Sequence, residues 1–545
     1  MKILICSVSG KSQNDPFLTL LPVGIGSLVA MLRKSGYHAR AANFHSIPLK
    51  KIKSILEKEE PDLLGISVMT HNRHDSLRLA KLAKTVNPSC HVTLGGPHAT
   101  HRAEEILAIC PSVDSVVLGE GEETLLELVR LLASDTSGNV LSTIRSLVFR
   151  DGMSIIRNTL RPPIEDLDTL PSPYLGFEGG INIDVYRQNE FIITSRGCPA
   201  ACSFCSSPHF WGKSLRFRSP RSMINELRDL QNRYGIIYFS IRDDTFTSDR
   251  KRVIEFCQLM LQERLYILWN CQSRVNAVDE EMLLWLRRAG CDCIQYGLES
   301  GSPAVLKYLG KQICQDQILQ ATNATRKAGI RLSVYLITGI PEETENDLDE
   351  TISLLKEVRA DDGQVSPLAY FPGTRLFTDA VRRGGIPADL FERSVSNALY
   401  VMNASSASVS ANRLLTALKQ FAPSDAQIVQ ESAEVSRSIG YCHGLNVTRG
   451  ELMAANGDYA GAETEFMTIA RREPGNPWGW LLLGELYQQT GGISGAIQAF
   501  ENLAELVPAH LPAWETLADL YRINGNRVKN LECRQRAIHE RNKSC

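Results

Sequence analysis

The sequence predicts an α/β multidomain protein: a doubly wound parallel sheet, a (β/α)6 partial barrel and an all-α solenoid of helix pairs. Short apolar runs alternate with longer segments of helical spacing both before and after residue 190, which predicts the two parallel sheets. Beyond residue 448 a period of about 34 residues predicts the solenoid. The expected divisions are a first domain over 1–135, a linker over 136–190, the barrel over 191–375, a helical connector over 376–447 and the repeats over 448–545.

The composition indicates a globular protein with several domains. Hydrophobic residues make up 43% of the 545 residues and charged residues 22%, which suits three or four cores of ordinary size. A net charge of −2 implies no general affinity for nucleic acid. The scattered cysteines favour a reducing, cytoplasmic environment, and we expect no secretory signal and no membrane span.

The amino-terminal third alternates strands and helices. Strands are expected at 2–8, 40–44, 62–69, 91–94 and 113–118, and helices at 20–34, 49–60, 76–86 and 123–132. Sheets of this type bind ligands beyond the carboxyl ends of their strands. The small and polar residues after the third, fourth and fifth strands are therefore the candidate ligand contacts.

The prolines and glycines of residues 141–190 predict an irregular connection over the surface. Beyond it, six strand–helix units predict the barrel. The expected strands are 191–195, 236–241, 267–271, 293–298, 332–338 and 364–369. The expected helices are 220–234, 249–262, 279–289, 302–308, 315–328 and 344–359.

Three cysteines follow the first barrel strand, at the rim where barrel chemistry takes place. Cys198, Cys202 and Cys205 form a CxxxCxxC pattern, which can hold three irons of a cubane cluster and leave the fourth iron open for a ligand. Two alternatives remain open on spacing alone. One is a Cys3His zinc site completed by His209, and the other is chance clustering among 14 cysteines.

Polar residues and glycines follow the next four barrel strands as well. They are Asp243-Asp244, Arg274, Glu299 and Gly339. Each alone has a structural explanation, since carboxylates cap helices and glycines make turns. Four successive strand ends at the mouth that holds the cysteines indicate a functional site.

With these motifs, residues 190–375 resemble the radical S-adenosylmethionine (radical SAM) superfamily. The resemblance implies that the three cysteines hold a [4Fe-4S] cluster. It also implies contacts to SAM from Phe204, Asp243, Asp244, Arg274, Glu299, Ile337 and Gly339. Two departures from the family are visible: Asp243-Asp244 stands where many members have Gly-Gly-Glu, and Tyr335 replaces the first glycine of the adenine motif.

The first domain resembles the cobalamin-binding domain family, which has a Rossmann-like or flavodoxin-like sheet. Ser67-Val68-Met69 and the Gly95-Gly96 pair carry the resemblance, with the GGPHAT and GEGEET wordings. It implies cobalamin contacts at Ser67, Gly95, Gly96, Pro97, His98, Gly119 and Glu120. The family's cobalt-binding histidine motif is absent from residues 7–11, and we interpret His45 as an ordinary loop residue. The alternative is a flavodoxin-like fold without the ligand.

The carboxyl-terminal quarter contains two kinds of helical sequence. Residues 376–447 carry no readable chemistry and are expected to cover the barrel mouth or join domains. Residues 448–540 resemble tetratricopeptide repeats, with the Leu483–Tyr487 motif as the clearest match. The repeats predict either a docking groove for a protein partner or a lid or dimer contact.

The resemblances together imply a cobalamin-dependent radical SAM enzyme, and in particular a methyltransferase. In such enzymes the reduced cluster cleaves SAM, the 5′-deoxyadenosyl radical takes a hydrogen atom from the substrate, and cobalamin delivers a methyl group to carbon. An external donor such as flavodoxin or ferredoxin supplies the electron. The substrate is an unidentified small molecule or peptide, and no catalytic residue beyond the cluster is assigned. The alternatives are a cyclase or rearrangement enzyme without methyl transfer, and a non-enzymatic cobalamin-binding or partner-binding scaffold.

Overall fold

The structure is a computed structural model that describes residues 1–10, 19–134, 141–393 and 399–543. The amino-terminal strands are β1 (Lys2–Ser9), β2 (His38–His45), β3 (Leu63–Ser67), β4 (His91–Gly95), β5 (Ser115–Val117), β6 (Leu147–Asp151) and β7 (Ser154–Arg157). The helices are α1 (Val23–Lys34), α2 (Leu49–Glu59), α3 (Arg73–Val86), α4 (Pro97–His101), α5 (Ala103–Ile109) and α6 (Glu122–Ala133). The sheet order is β2-β1-β3-β4-β5-β6-β7, with β1 to β5 parallel.

Apolar side chains on both faces of this sheet explain its double winding. Along β1, Leu4 and Cys6 point into the core beneath α2, α3 and α5, whereas Ile3 and Ile5 point into the core beneath α1 and α6. Both faces are therefore covered by helices, as the alternating sequence pattern predicts.

The segment predicted as an irregular connection extends this sheet instead. Its strands β6 and β7 form an antiparallel hairpin on the β5 edge, joined through Gly152, which has a φ of 57°. Asp151-Gly152 is a hairpin signal that sequence reasoning did not use. Further along, Gly176 lies so close to α1 that an added Cβ would sit 2.0 Å from the carbonyl oxygen of Gly26. This part of the connection is thus tied to the first domain.

The central unit is an open parallel barrel. Its strands are β8 (Phe191–Ile192), the short pair β9 (Ser195–Arg196) and β10 (Arg216–Phe217), then β11 (Tyr238–Ile241), β12 (Leu268–Ser273), β13 (Cys291–Glu299), β14 (Arg331–Thr338) and β15 (Asp362–Pro367). The helices are α7 (Val185–Asn189), α8 (Ser207–Phe210), α9 (Pro220–Tyr234), α10 (Arg250–Gln262), α11 (Glu280–Arg288), α12 (Pro303–Tyr308), α13 (Gln315–Lys327) and α14 (Glu345–Val358). Six strands form one parallel sheet in the order β15-β14-β13-β12-β11-β8.

The connector supplies the last helix of the barrel. It contains β16 (Ala369–Tyr370), β17 (Tyr400–Val401), α15 (Arg375–Arg382), α16 (Leu390–Arg393), α17 (Ala404–Phe421) and α18 (Asp425–Ile439). Leu414 and Leu418 of α17 enter the same core as the barrel strands, and α17 packs on β15. The barrel therefore extends past residue 375, because its sixth helix follows a long excursion through β16, α15 and α16.

Three helix pairs follow, consistent with the predicted solenoid. They are α19 (His443–Ala455) with α20 (Tyr459–Arg472), α21 (Pro477–Gln489) with α22 (Ile493–Leu506), and α23 (Leu511–Ile523) with α24 (Arg527–Lys543). An added Cβ at Gly450 would meet the ring of Phe466, and one at Gly484 would meet the ring of Phe500. The same close contact thus recurs in successive repeats.

The solenoid packs against the amino-terminal ends of the barrel strands. Ile237, directly before β11, and Leu268, the first residue of β12, share one core with the repeat helices. The His510 ring nitrogen Nδ1 lies 3.0 Å from the carbonyl oxygen of Gly235, in the turn that precedes β11. The repeats therefore contact the end of the barrel opposite the cysteines, which does not suit a lid over the barrel mouth. No helix in the described ranges is long and apolar enough to span a membrane.

Candidate active site: two cavities on either side of the cysteine segment

The cysteine loop begins at a backbone turn that requires glycine. Gly197 has a φ of 98°, and an added Cβ would lie 2.3 Å from the carbonyl oxygen of Ser214. Cys198 and Cys202 are buried and Cys205 is half-buried. Ser203 fixes the middle of the loop, because its amide donates to the carbonyl of Leu309 and its carbonyl accepts from the amide of Leu376, both at 2.8 Å.

The three cysteines line a cavity of about 270 Å³ at the carboxyl ends of the barrel strands. Residues from the ends of β11, β12, β13 and β14 complete the wall. Among the predicted SAM contacts, the cavity includes Phe204, Asp244, Arg274 and Glu299. The structure therefore brings together residues that are up to about a hundred positions apart, as barrel topology requires.

Asp243, Ile337 and Gly339 do not line this cavity. The Asp243 carboxylate accepts hydrogen bonds from the amide and hydroxyl of Thr194, each at 2.5 Å, and from the amide of Ser195 at 3.0 Å. Gly339 is covered by Ala407 of α17, and its amide donates to Glu343. Ile337 packs in an apolar cluster beside the cavity. In this structure Asp243 thus braces the strand before the cysteine loop, whereas Asp244 faces the cavity.

Asp244 and Cys205 share a low-dielectric corner of the cavity. Burial raises the pKa of Asp244, the Ser207 hydroxyl that donates to it lowers that pKa, and Asp243 raises it again. Burial and the neighbouring Asp244, Cys202 and Cys198 raise the pKa of the Cys205 thiol to about 12. The irons of a bound cluster would supply the positive charge needed to ionise this thiol.

Glu299 is held by a residue that sequence reasoning missed. Its carboxylate accepts from Lys311 Nζ at 2.6 Å, and the two side chains are only 9% and 5% exposed. Glu299 also has a φ of 67°, a left-handed conformation that a non-glycine residue adopts at a cost. A buried lysine at a turn twelve residues downstream gives no local sequence signal, because only the fold brings the pair together.

The cavity fits a cluster better than a zinc ion. Zinc needs four ligands at about 2.0–2.3 Å from one point, whereas the thiolates of a cubane cluster each bind a different iron. In the described ranges, no three His, Cys, Asp or Glu side chains converge closely enough to hold one metal ion. His209 is exposed and does not line the cavity. The Arg274 guanidinium lies 3.8 Å from the sulfur of Cys202.

A second cavity, of about 420 Å³, lies between the amino-terminal sheet and the barrel. Its wall includes most of the predicted cobalamin contacts, namely Ser67, Gly95, Gly96, Pro97, Gly119 and Glu120. An added Cβ at Gly95 would make only an ordinary van der Waals contact with Val117, 3.7 Å from its carbonyl oxygen. The lack of a side chain at Gly95 would suit the cobalamin contact that the resemblance implies at this position.

Two histidines considered in the sequence lie away from this cavity. The ring of His98 stacks edge-on against Phe391 at 5.4 Å, and its Nδ1 lies 3.1 Å from the Thr70 hydroxyl. His98 therefore joins the first domain to the connector rather than contacting the cavity. His45 Nδ1 lies 2.6 Å from the Ser9 hydroxyl, and His45 does not line the cavity either. Lys11, at the end of the segment lacking the histidine motif, is outside the described residues.

The segment 193–211 forms a common wall between the two cavities. Ile193, Ser195, Arg196, Phe210 and Trp211 line the larger one, and the cysteines between them line the smaller one. Segment 193–211 therefore borders both predicted cofactor sites, with different residues facing each one.

Arg196 connects this wall to the first domain. Its guanidinium lies 3.1 Å from Glu120 and 2.5 Å from Glu122, and the Ser27 hydroxyl donates to Glu122 at 2.8 Å. Burial raises the pKa of Glu122, but the charge of Arg196 and the hydrogen bonds from Arg196 and Ser27 together hold that pKa below its usual range. Sequence reasoning predicted Glu120 as a ligand contact and did not identify Arg196 or Glu122.

Comparisons with known sequences cover all three parts of the chain. The Radical SAM superfamily matches residues 192–355, the B12 binding domain matches 17–129, and a tetratricopeptide repeat matches 453–520. The uncharacterized methyltransferase PH0819 of Pyrococcus horikoshii is 34% identical over 366 residues, which are 66% of this chain and 78% of that protein. The chain belongs to the B12-binding radical SAM family.

Other members of this family act in different ways. The anaerobic magnesium-protoporphyrin IX monomethyl ester cyclase of Cereibacter sphaeroides is 30% identical, over 66% of this chain and 60% of that enzyme. The cytidylyl-2-hydroxyethylphosphonate methyltransferase of Streptomyces wedmorensis is 26% identical, over 67% of this chain and 78% of that enzyme. Both matches span about two thirds of this chain.

Solved structures confirm the fold. The cobalamin-dependent radical enzyme OxsB, with aqua-cobalamin bound, aligns with a TM-score of 0.61 at 16% identity, over 100% of this chain and 84% of that one. The methyltransferase TsrM from Kitasatospora setae aligns with a TM-score of 0.59 at 17% identity, over 70% and 75% of the two chains. The prediction of a doubly wound sheet, a partial barrel and a helical repeat region is thus confirmed.

Proposed function

We propose that this chain is a cobalamin-dependent radical SAM methyltransferase that acts on an unactivated carbon of a small molecule or peptide. The observation that carries the proposal is the common wall formed by segment 193–211. The cavity of the three cysteines borders one side of it, and the cavity of the cobalamin-type glycines borders the other. A reaction that uses two cofactors on one substrate needs their sites to be this close.

Each cofactor has a proposed set of residues. Cys198, Cys202 and Cys205 would hold the cluster, with SAM against Phe204, Asp244, Arg274 and Glu299, and cobalamin against Ser67, Gly95, Gly96, Pro97, Gly119 and Glu120. When bound, the cluster and SAM supply a radical that removes a hydrogen atom, and cobalamin supplies the methyl group.

The protein's own contribution is placement and exclusion of water. Lys311 fixes the Glu299 carboxylate in one position, and the remaining carboxylate oxygen would accept a hydrogen bond from a ribose hydroxyl of bound SAM. The Ser207 hydroxyl similarly fixes Asp244, which would accept from the amino group of SAM. Leu28, Leu125 and Trp211 of the larger cavity present apolar surface that keeps water from a reactive intermediate.

Methyl transfer is tested by anaerobic incubation of the reconstituted protein with cobalamin, reductant and SAM labelled in its methyl group. We expect a product that gains one labelled methyl group, together with 5′-deoxyadenosine. Formation of 5′-deoxyadenosine with unlabelled product would contradict methyl transfer.

A second candidate is cyclisation or oxidative rearrangement without methyl transfer. The 30% identity to the magnesium-protoporphyrin IX monomethyl ester cyclase favours it. The same labelling experiment separates the two, because only methyl transfer places the label in the product. A non-enzymatic scaffold would bind no iron after anaerobic reconstitution. An iron assay of the reconstituted protein therefore tests this alternative, and bound iron would exclude it.

The described cysteines form no disulfide, which supports a cytoplasmic location. The tetratricopeptide repeats contact the barrel through one face and would dock a protein partner through the rest of their surface. The electron would come from an external carrier such as a flavodoxin or ferredoxin.

A further inference from the structure

A surface depression of about 660 Å³ lies next to the cysteine loop, and we refer to it as the basic basin. Its lining includes Ala201 of the loop, Lys307 of α12, the segment 310–316 and Arg375 at the start of α15. Lys311 lines both the basin and the cysteine cavity. The loop and Lys311 therefore form a wall with the predicted cluster on one side and the basin on the other.

The charge of the basin is positive. Lys307 and Arg375 are exposed, and neither makes an ion pair within the described ranges. Among the lining residues Asp316 is the acidic one, while Lys311 is neutralised by Glu299 behind the wall. The amino-terminal end of α13, which starts at Gln315, adds to the positive potential. A negatively charged surface would therefore be attracted here.

The backbone beside the two exposed cations is hydrogen-bonded to the cysteine loop. Ser203, directly after Cys202, bonds through its backbone to Leu309 and to Leu376. Lys307 lies two residues before Leu309, and Arg375 is adjacent to Leu376. A protein bound to these cations would thus be separated from the cysteines by one hydrogen-bonded layer of backbone.

We propose that the basic basin is the docking site of the electron donor, a small acidic protein that carries one electron. The inference rests on the proposed function, because only a cluster-bearing chain needs this electron. One electron leaves the reduced carrier and is taken up by the cluster for each SAM cleaved, and no atom passes between the two proteins. The basin fits such a carrier because it combines exposed positive charge with direct backbone hydrogen bonds to the cysteine loop.

Docking is tested by binding, independently of turnover. The probe is an acidic bacterial flavodoxin, titrated against the reconstituted full chain without SAM at low and high salt. For the double variant Lys307→Glu/Arg375→Glu we expect at least about tenfold weaker binding and a smaller salt dependence. The matched control Lys50→Glu/Lys51→Glu makes the same charge change at exposed positions of α2 and should bind like the parent. Equal binding by the two double variants would overturn the proposal.

A second measurement separates this proposal from the proposed function. SAM cleavage is followed with dithionite, which needs no docking site, and with reduced flavodoxin. We expect the Lys307→Glu/Arg375→Glu variant to match the parent with dithionite and to lose about 90% of the flavodoxin-driven rate. Parallel loss with both reductants would overturn docking at the basin. Failure of the parent itself with dithionite would count against the proposed function, while the binding comparison would still decide the docking site.

Discussion

The carboxylate of Glu299 and the ammonium group of Lys311 lie 2.6 Å apart at the mouth of the barrel, nearly hidden from solvent. Glu299 ends the longest barrel strand, and Lys311 stands in the wall between the cysteine cavity and the surface. A buried pair of this kind depends on both partners, since removal of one leaves a charge without water or counterion.

Replacing Lys311 with Met should therefore damage both stability and the cavity. We expect the free energy of unfolding to fall by about 3–5 kcal/mol, the usual cost of breaking a buried ion pair from one side. SAM binding, measured by equilibrium dialysis, should weaken as Glu299 loses its fixed orientation. The control Lys356→Met removes an exposed lysine of α14 and should leave both quantities near the parental values. An unchanged unfolding curve for Lys311→Met would contradict the structural role of the pair.

Replacing Cys198 with Ala should remove iron from the protein. Cys198 is buried in the cavity wall, and we expect the variant to retain far less than the parent's content of about four irons per chain after reconstitution. SAM cleavage should be lost with it. The control Cys314→Ala removes an exposed cysteine that does not line the cysteine cavity, and its iron content should equal the parent's. Full iron content in Cys198→Ala would rule out the cluster assignment.

The neighbouring glycines of the larger cavity should respond differently to alanine. Gly96 has φ 93° and ψ 175°, and an added Cβ would lie 3.0 Å from the carbonyl oxygen of Val68, so Gly96→Ala should destabilise the fold by about 1–3 kcal/mol. Gly95 has room for a Cβ, so Gly95→Ala should fold like the parent. That methyl group would, however, occupy the space proposed for cobalamin. We expect weaker cobalamin binding in an absorbance titration of Gly95→Ala, and parental affinity would argue against ligand contact there.

His98 should make the stability of the protein depend on pH. Burial, together with the charges of Arg73 and Arg102, lowers the pKa of His98 to about 3 in the folded state, below the value of about 6.5 in an unfolded chain. The unfolded state binds more protons between these values, so stability is full above about pH 6.5 and is lost as the pH falls. From about pH 7 to about pH 5 the loss due to His98 is about 2 kcal/mol.

The variant His98→Gln, which keeps a polar group near Thr70, should show a shallower dependence over the same range when unfolding is measured in denaturant. The His101→Gln variant is measured in the same way. Burial and His209 lower the pKa of His101 to about 4, so this variant should also show a shallower dependence of stability on pH. Identical slopes for the parent and His98→Gln would show that His98 is not held neutral in the fold.

Periodicity predicted most of the architecture because the barrel repeats one simple unit. The expected helix 220–234 agrees with α9, and the other barrel helices agree within about one residue. The hairpin of β6 and β7 was missed because its strands are short and follow a segment rich in loop residues. The sixth barrel helix was misassigned because about forty residues separate it from its strand, whereas the other units have short loops.

Site residues could be predicted from the sequence only where they form a recognisable pattern over a few neighbouring positions. The cysteine spacing and the glycine pair are local patterns, and the structure places these residues at cavity walls. Asp243 and Asp244 are adjacent and chemically identical, so no sequence argument separates the residue that braces the strand from the one that faces the cavity. Lys311 and Arg196 find their partners only through tertiary structure.

Arg196 has a consequence for exchanging parts between relatives. It lies two residues before Cys198, yet its partners Glu120 and Glu122 belong to the other α/β unit. A chimaera that takes residues 1–190 from a relative without these acids would leave a buried guanidinium uncompensated next to the cysteine loop. The two halves are therefore not interchangeable modules: the arginine and its glutamates would have to be transplanted as one set.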